Sequence, residues 1–245
     1  MNEVKILPLS LKLIFKDPIN LLLAIIPTIL ALSIYIFFIA LIFKNSDYFG
    51  VLLQDWIPDP KTAGWIGKLI TAIFIIFMFL IMSWTFILLS GIISAPFNSL
   101  LSSRIEEKLA GRAISSDAKQ SFTTMLKGLG KTFINEAKKI IFIIILTGLA
   151  FLLNLFPLFY PLGIFLLALV LSLQFIDYSW SRHDMSFSQC VSDLFKNIFS
   201  YGGYGLVFLV LITIPIINAL VPAFATSFFT VLWLNRQKRI ALSEL

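Results

Sequence analysis

Residues 140–176 read IIFIIILTGLAFLLNLFPLFYPLGIFLLALVLSLQFI and contain no charged side chain. Three further uncharged stretches occupy 18–43, 69–103 and 197–235. A helix of about 20 apolar residues crosses a hydrocarbon layer of roughly 30 Å, so 18–43 and 69–95 are each suited to one crossing. The other two stretches are longer and are interrupted by prolines near their middle. The pattern predicts an all-α integral membrane protein with two long transmembrane helices and two proline-broken, partly membrane-embedded helical hairpins.

The two predicted hairpins, 140–176 and 198–235, have similar tips. Each tip places an asparagine close to two prolines: Asn154 with Pro157 and Pro161, and Asn218 with Pro215 and Pro222. Backbone that is irregular at membrane depth is tolerated where it is buried in protein or lines water, so such tips are typical of a transport site. Ordinary helix–helix turns at the membrane interface are the equally open alternative.

The length of the arms bears on how many times the chain crosses. As helices, 140–156 and 162–176 would be about 25 Å and 23 Å long, which is shorter than a typical hydrocarbon core. This favours hairpins that enter deeply and return to their own side, with four thin crossings as the alternative.

The composition of the whole chain agrees with a membrane protein and limits its chemistry. Of 245 residues, 59% are hydrophobic and 13% are charged, whereas soluble domains have about a quarter charged. Cys190 and His183 are the single cysteine and the single histidine, which excludes an intrachain disulfide and a cysteine-based metal cluster. We therefore expect no metal, no cofactor and no enzymatic activity.

The distribution of basic residues predicts the orientation. Three Lys or Arg precede residue 18, eight lie in 104–139, two in 177–196 and three follow residue 235, while three lie in 44–68. With two crossings and two hairpins, sixteen basic residues share one face, which the positive-inside tendency places in the cytoplasm together with both termini. We interpret 4–17 as an amphipathic interfacial helix and 1–245 as a single membrane domain.

The end of the second crossing carries a motif. Residues 95–111 read APFNSLLSSRIEEKLAG, in which Pro96 kinks the helix before a cytoplasmic helix at 97–111. This stretch resembles the signature of the CysZ family of bacterial inner-membrane sulfate permeases at Pro96, Phe97, Asn98, Glu106 and Gly111. A second stretch, LQFIDYSWSRHDMSF at 173–187, is similar to that family at Gln174, Asp177, Tyr178 and His183.

The resemblance implies a channel-like permease of the bacterial inner membrane that passes sulfate inward for cysteine biosynthesis and assembles as a homo-oligomer. The polar side chains predicted within the membrane carry no charge, which favours a passive pathway. The residues that we predict along this pathway are Pro18, Asn20, Asn98, Asn154 and Asn218.

One stretch departs from the family. CysZ proteins carry arginines just after the proline that starts the first long helix, whereas this chain reads Asp17-Pro18-Ile19-Asn20-Leu21. A doubly charged anion needs cations or several backbone N–H groups. Asn20 and the amides after Pro18, with Lys12 and Lys16 nearby, could supply them. The alternative is a membrane scaffold or lipid-interacting protein of the same fold that has lost the anion site.

Two charged segments have simpler interpretations. The turn that contains Asp177, Arg182, His183 and Asp184 has the residue types of a catalytic or metal site. A salt-bridged turn at the level of the lipid headgroups is favoured, because the segment has too few ligands for either kind of site. The basic stretch 104–139 sets topology or contacts anionic membrane lipids, and its composition does not indicate nucleic acid.

Overall fold

The computed structural model describes residues 3–44, 65–110, 122–214, 218 and 220–237. Throughout these ranges the chain forms helices and short connections, and no strand occurs in them. The predicted all-α class is confirmed.

The described residues form eight α-helices and two short 3₁₀ turns. The α-helices are α1 (Ile6–Phe15), α2 (Pro18–Lys44), α3 (Trp65–Ala110), α4 (Phe122–Asn154), α5 (Tyr160–Arg182), α6 (Phe187–Lys196), α7 (Ile198–Ile212) and α8 (Val221–Arg236). The 3₁₀ turns are Glu3–Lys5 and Pro157–Phe159.

The chain divides into two compact units, 25–97 and a larger one made of 1–24 with 98–245. The smaller unit contains most of α2 and the first part of α3, and side chains such as Ile29, Ile36 and Phe77 are exposed on it. Exposed apolar side chains of this density suit contact with lipid. A single membrane domain stays a prediction.

The larger unit is built around α5 and α8. Helix α5 packs against α4, α7 and α8, and α1 packs on α8. Residues 225–234 of α8 are all buried, so this helix is enclosed by its neighbours. Gly205 allows α7 to approach α5, because a Cβ built there would lie 2.1 Å from the carbonyl oxygen of Ala168. The Ser172 hydroxyl stabilises this close approach by donating a hydrogen bond to the Tyr201 carbonyl at 2.7 Å.

Within the described part of the chain, two segments are long and apolar enough to cross a membrane, Pro18–Phe37 and Pro157–Arg182, and the bent pair α6 and α7 would make a third. The first matches the crossing predicted at 18–43. The crossing predicted at 69–95 lies inside α3, which continues through Pro96 into the predicted cytoplasmic helix and ends at Ala110.

The helices are interrupted near the prolines of both predicted tips, while the hairpins themselves stay a prediction. Helix α4 ends at Asn154 and α5 begins at Tyr160, while α7 ends at Ile212 and α8 begins at Val221. Residues 215–217 and 219 of the second tip lie outside the described residues. The expected short second arm, 162–176, is wrong in length: α5 has 23 residues, or about 34 Å. Its charged last turn is paired with other helices, which lets the helix continue beyond the apolar stretch.

Candidate functional site

A groove of about 410 Å³ lies beside the start of α2. Helix α1 supplies one wall, because Leu9, Lys12 and Leu13 are spaced to share a helix face. The rest of the lining comes from Lys16, Asp17, Pro18 and Lys108. Three ammonium groups and one carboxylate therefore border a space large enough for a small inorganic anion.

Asp17 caps the N-terminus of α2. Its Oδ1 accepts a hydrogen bond from the backbone N–H of Ile19 at 2.8 Å and a longer one from that of Asn20 at 3.4 Å. Its Oδ2 accepts a hydrogen bond from Lys108 Nζ and lies 3.5 Å from Arg104 Nη2. The hydrogen bond from Lys108, together with those from the two backbone N–H groups, outweighs desolvation and lowers the pKa of Asp17 to about 2. The carboxylate is therefore ionised at every physiological pH.

Asn20, a predicted pathway residue, is completely buried. Its amide donates from Nδ2 to the Leu13 carbonyl at 2.9 Å, and its Oδ1 accepts from Arg104 Nε at 3.2 Å. The side chain thus connects the end of α1 to the C-terminal part of α3, and the groove lining consists of other residues.

Lys12 and Lys16 are the two lysines of the groove whose charge is not neutralised by an ion pair among the described residues. Both side chains are exposed, and among the described residues no carboxylate lies within ion-pair distance of either ammonium. Lys108, in contrast, is held by Asp17. An anion entering the groove would meet the charges of Lys12 and Lys16 first.

Glu106, from the APFN motif, joins a buried ion-pair network. Its carboxylate lies 3.0 Å from Arg182 Nη1 and 2.5 Å from His183 Nε2, with its side chain 4% exposed. The ring of His183 stacks on Trp233, with 4.6 Å between centroids. Burial raises the pKa of Glu106, but the hydrogen bonds from His183 and Arg182 outweigh it, so that the pKa lies below its usual value. The network connects α3, α5 and α8.

A second network connects α4 with α5. Lys139 Nζ lies 2.7 Å from Asp177 Oδ1 and 2.9 Å from Glu136 Oε1, and it donates to Ser181 Oγ at 2.9 Å. Burial lowers the pKa of Lys139, but the hydrogen bonds to Asp177 and Glu136 more than restore it and the pKa is raised. The ion pairs predicted for the turn after α5 are therefore present, but they connect separate helices.

The other predicted residues lie in different parts of the structure. Asn98 is 4% exposed and hydrogen-bonds the hydroxyl of Tyr178, so these two motif residues meet. Asn154 lies at the opposite end of α5, where its Oδ1 is buried against Gly163 and has no hydrogen-bond partner among the residues that the structure describes. Gly163 and Tyr178 are fifteen residues apart on that helix, or about 22 Å. The structure therefore does not bring Asn154 and Asn98 into one site.

Two of the predicted amide side chains are exposed. Gln174 and Asn218 both have accessible side chains, and the backbone N–H of Asn218 donates to the Ile214 carbonyl at 2.8 Å. Gly111 lies outside the described residues. The roles of all these residues in a pathway stay predictions.

The pairing of Asp17 with Lys108 and Arg104 was not predicted from the sequence. An aspartate directly before a proline that begins a helix is a recognisable N-cap signal. The cations that complete the cluster lie about ninety residues later in the chain, as the separation of Lys108 from Asp17 shows. No local pattern relates them to the cap.

Comparison with known proteins identifies relatives over most of the chain. The family described as sulfate transporter CysZ/etoposide-induced protein 2.4 matches residues 6–222. A protein named sulfate transporter CysZ from Vibrio parahaemolyticus is 28% identical over 203 residues, which is 80% of this chain and 81% of the relative. One of the same name from Pseudomonas aeruginosa PAO1 is 25% identical over 237 residues, covering 95% of this chain and 94% of the relative. A third, from Pectobacterium atrosepticum, is 25% identical over 199 residues, covering 77% and 71%.

Proposed function

The chain belongs to the sulfate transporter CysZ/etoposide-induced protein 2.4 family, and we propose that it is a channel-like membrane permease for sulfate or a similar small inorganic anion. The relatives named sulfate transporter CysZ support the substrate class. The observation that carries the proposal is the cationic groove, where Lys12, Lys16 and Lys108 border a space at the start of a helix suited to cross the membrane. Such a groove concentrates small anions at the mouth of a pathway.

The pathway proposed beyond the groove uses uncharged polar groups. Its candidates remain Asn20, Asn98, Asn154 and Asn218, and Pro18 lies at the groove where the pathway begins. Because these side chains carry no charge and cannot relay protons, the proposed transport is passive and follows the anion gradient. Selectivity then depends on hydrogen-bond donors and on the cations at the entrance.

The cellular setting is proposed from the charge distribution and the family. The sixteen basic residues on one face support a multi-pass protein of the bacterial inner membrane with both termini in the cytoplasm. A permease of this class would supply sulfur assimilation and cysteine biosynthesis, and we propose that it works as a homo-oligomer.

Radiolabelled sulfate flux into vesicles reconstituted with the full-length protein tests the proposal. We expect saturable uptake down a sulfate gradient, unchanged by collapsing the proton gradient and absent from protein-free vesicles. Uptake no faster than in protein-free vesicles, over the range of pH in which the protein stays folded, would contradict it.

A matched pair of variants locates the entrance. Lys12→Gln with Lys16→Gln removes the two uncompensated charges, and we expect uptake at low sulfate to fall about fivefold or more. Lys138→Gln with Lys196→Gln removes two exposed charges outside the groove and is expected to leave uptake within about twofold. Equal effects of the two double variants would place the entrance elsewhere.

A membrane scaffold or lipid-interacting protein is the second candidate, favoured by one observation. Asp17 already neutralises Arg104 and Lys108 at the start of α2, where a free anion would otherwise bind. Growth of a sulfate-uptake mutant on limiting sulfate distinguishes the candidates. Restored growth on expression of this chain supports the permease, whereas unrestored growth with an altered envelope or lipid composition supports the scaffold.

A further inference from the structure

The first turn of α2 has no N–H group left for a ligand, because Asp17 uses all of them. Pro18 has no N–H, and the N–H groups of Ile19 and Asn20 donate to the Asp17 carboxylate. The N–H of Leu21 donates to the Asp17 backbone carbonyl at 3.0 Å. These are the donors that a helix N-terminus ordinarily offers to an anion.

Asp17 also binds the cations next to that helix. Its Oδ2 contacts Lys108 Nζ and lies 3.5 Å from Arg104 Nη2, and its side chain is 11% exposed. A carboxylate has about four lone-pair positions, and these contacts with the two backbone donors occupy them. Arg104 is further held by the Asn20 amide. The groove therefore already contains an anion that is covalently part of the chain.

We propose that Asp17 is a tethered competitor for the permeating anion. Its carboxylate takes the helix N-terminus and the charges of Arg104 and Lys108, and a small oxyanion binds beside it on Lys12 and Lys16. The neighbouring negative charge keeps this binding weak and sets the preference for singly charged over doubly charged anions. The proposal deepens the proposed function, since it concerns the same groove and the same class of ligand.

The affinity of the groove for an anion depends on the balance of charges in one small space. Removing the carboxylate changes the local charge by one unit and frees two cations, while the groove and its apolar walls stay in place. The pKa of about 2 means that a change of pH within the physiological range does not release the cations. Only an anion that displaces Asp17, or a substitution, does so.

The substitution Asp17→Asn removes the negative charge of the side chain and keeps its ability to cap the N-terminus of α2. Asparagine is as good an N-cap as aspartate, so it can still accept from Ile19 while it can no longer neutralise Lys108. At an anion-to-Asp17 separation of about 8 Å in water, the repulsion of a doubly charged anion corresponds to about fivefold in affinity. We expect Asp17→Asn to bind sulfate about fivefold more tightly than the natural protein, and a singly charged anion such as nitrate about twofold more tightly.

Binding to the full-length protein in detergent, measured by calorimetric titration with sodium sulfate and with sodium nitrate, tests this. Asp184→Asn is the matched control, because Asp184 is exposed, lines a different groove and carries the same charge. Its positive φ of 50° is one that asparagine adopts readily, so the control should fold. The thermal unfolding midpoint of each variant shows whether its structure is kept.

The outcomes separate this inference from the proposed function. Tighter sulfate binding by Asp17→Asn, with the affinity of Asp184→Asn unchanged, supports the tethered competitor. If vesicles show no sulfate flux in that case, the permease function is contradicted and the role of Asp17 in binding is not. Equal affinities of Asp17→Asn and the natural protein, weaker binding by Asp17→Asn, or no saturable binding by either protein overturns it. An equal gain in both variants also overturns it, because the effect would then be one of net charge.

Discussion

Glu106 and Arg182 are separated by 76 residues in sequence, and their side chains form an ion pair at 3.0 Å. The pair joins the end of α3 to the end of α5. The same guanidinium reaches the Ser99 carbonyl at 2.9 Å, so that one arginine contacts two successive turns of α3. The contact fixes the C-terminal part of α3 to α5, which lies at the centre of the larger unit.

Glu106→Gln is expected to destabilise the protein by about 2 to 3 kcal/mol. The substitution removes the carboxylate and leaves Arg182 and His183 around a neutral amide in a mostly buried site. Denaturant unfolding of the full-length protein in detergent, with Glu107→Gln as the control, measures the difference. Glu107 is exposed and adjacent in sequence, and its substitution should change stability by less than about 0.5 kcal/mol. Equal effects of the two substitutions would contradict a structural role of the network.

Lys139→Gln is expected to destabilise the protein by about 2 kcal/mol, because it removes the buried ammonium between the half-buried carboxylates of Asp177 and Glu136, which then repel each other. The pKa of Lys139 is raised on folding. Its contribution is therefore complete below the ordinary lysine value of about 10.4 and is lost only above it. The deficit of Lys139→Gln should stay constant between about pH 6 and about pH 9. Lys138→Gln, at the exposed neighbouring position, is the control; a deficit that varies across this range would show that another group controls the site.

Lowering the pH should weaken the ion pairs of Asp17 with Lys108 and Arg104 over a defined pH range. The pKa of Asp17 is lowered to about 2 in the folded protein, from an ordinary value near 3.9. A lowered carboxyl pKa contributes stability that is present above the ordinary value and is lost as pH falls through the folded value. The difference in unfolding midpoint between the natural protein and Asp17→Asn should be constant above about pH 5 and should shrink between about pH 4 and about pH 2. A difference independent of pH down to about pH 2 would exclude the ionised carboxylate as its source.

Much of the architecture could be predicted because membrane segments are encoded locally. Uncharged runs and prolines give the position of α2 and of both hairpin breaks, since a long helix needs one continuous apolar stretch and a proline interrupts it. The end of α5 was missed for the same reason. Residues 177–182 begin with Asp177 and end with Arg182, and in the fold these charges are paired with Lys139 and Glu106, which are distant in sequence.

The candidate site was less predictable, since its geometry depends on contacts distant in sequence. The separation of Asp17 from Lys108 is 91 residues, and that of Asn20 from Arg104 is 84. The sequence suggests that Asn20 offers its amide to an anion, but in the fold Leu13 and Arg104 occupy both ends of that amide. Side-chain type therefore predicted which residues matter and did not predict what they bind.

Gly205→Ala is expected to destabilise the packing of α7 on α5 by about 3 kcal/mol. The added methyl would lie 2.1 Å from the Ala168 carbonyl oxygen, and a backbone atom within a helix cannot move aside as a side-chain end can. Gly203→Ala on the same helix is the control, because nothing lies within 4 Å of a Cβ there and alanine is the better helix former. We expect Gly203→Ala to be neutral or slightly stabilising in thermal unfolding. Similar losses at both positions would mean that helix propensity, rather than the close approach, decides the effect.

The tip of the first hairpin is expected to lie within the lipid and not to reach water on the outer side. Its side chains are apolar and exposed, with Leu158 83% exposed, and its backbone N–H groups are bonded locally, as from Phe159 to the Phe156 carbonyl at 3.0 Å. An exposed apolar tip with a satisfied backbone suits hydrocarbon, although Pro157–Arg182 is long enough to cross.

Cysteine labelling in cells tests this, with the buried Cys190 replaced by serine. We expect Phe159→Cys to resist a membrane-impermeant thiol reagent added outside, whereas Lys44→Cys, at the end of α2 that is predicted to be external, reacts readily. Lys138→Cys should react only after the membrane is opened. A crossing arm would bring the tip to the outer surface. Modification of Phe159→Cys as fast as that of Lys44→Cys would therefore contradict the hairpin and indicate two full crossings.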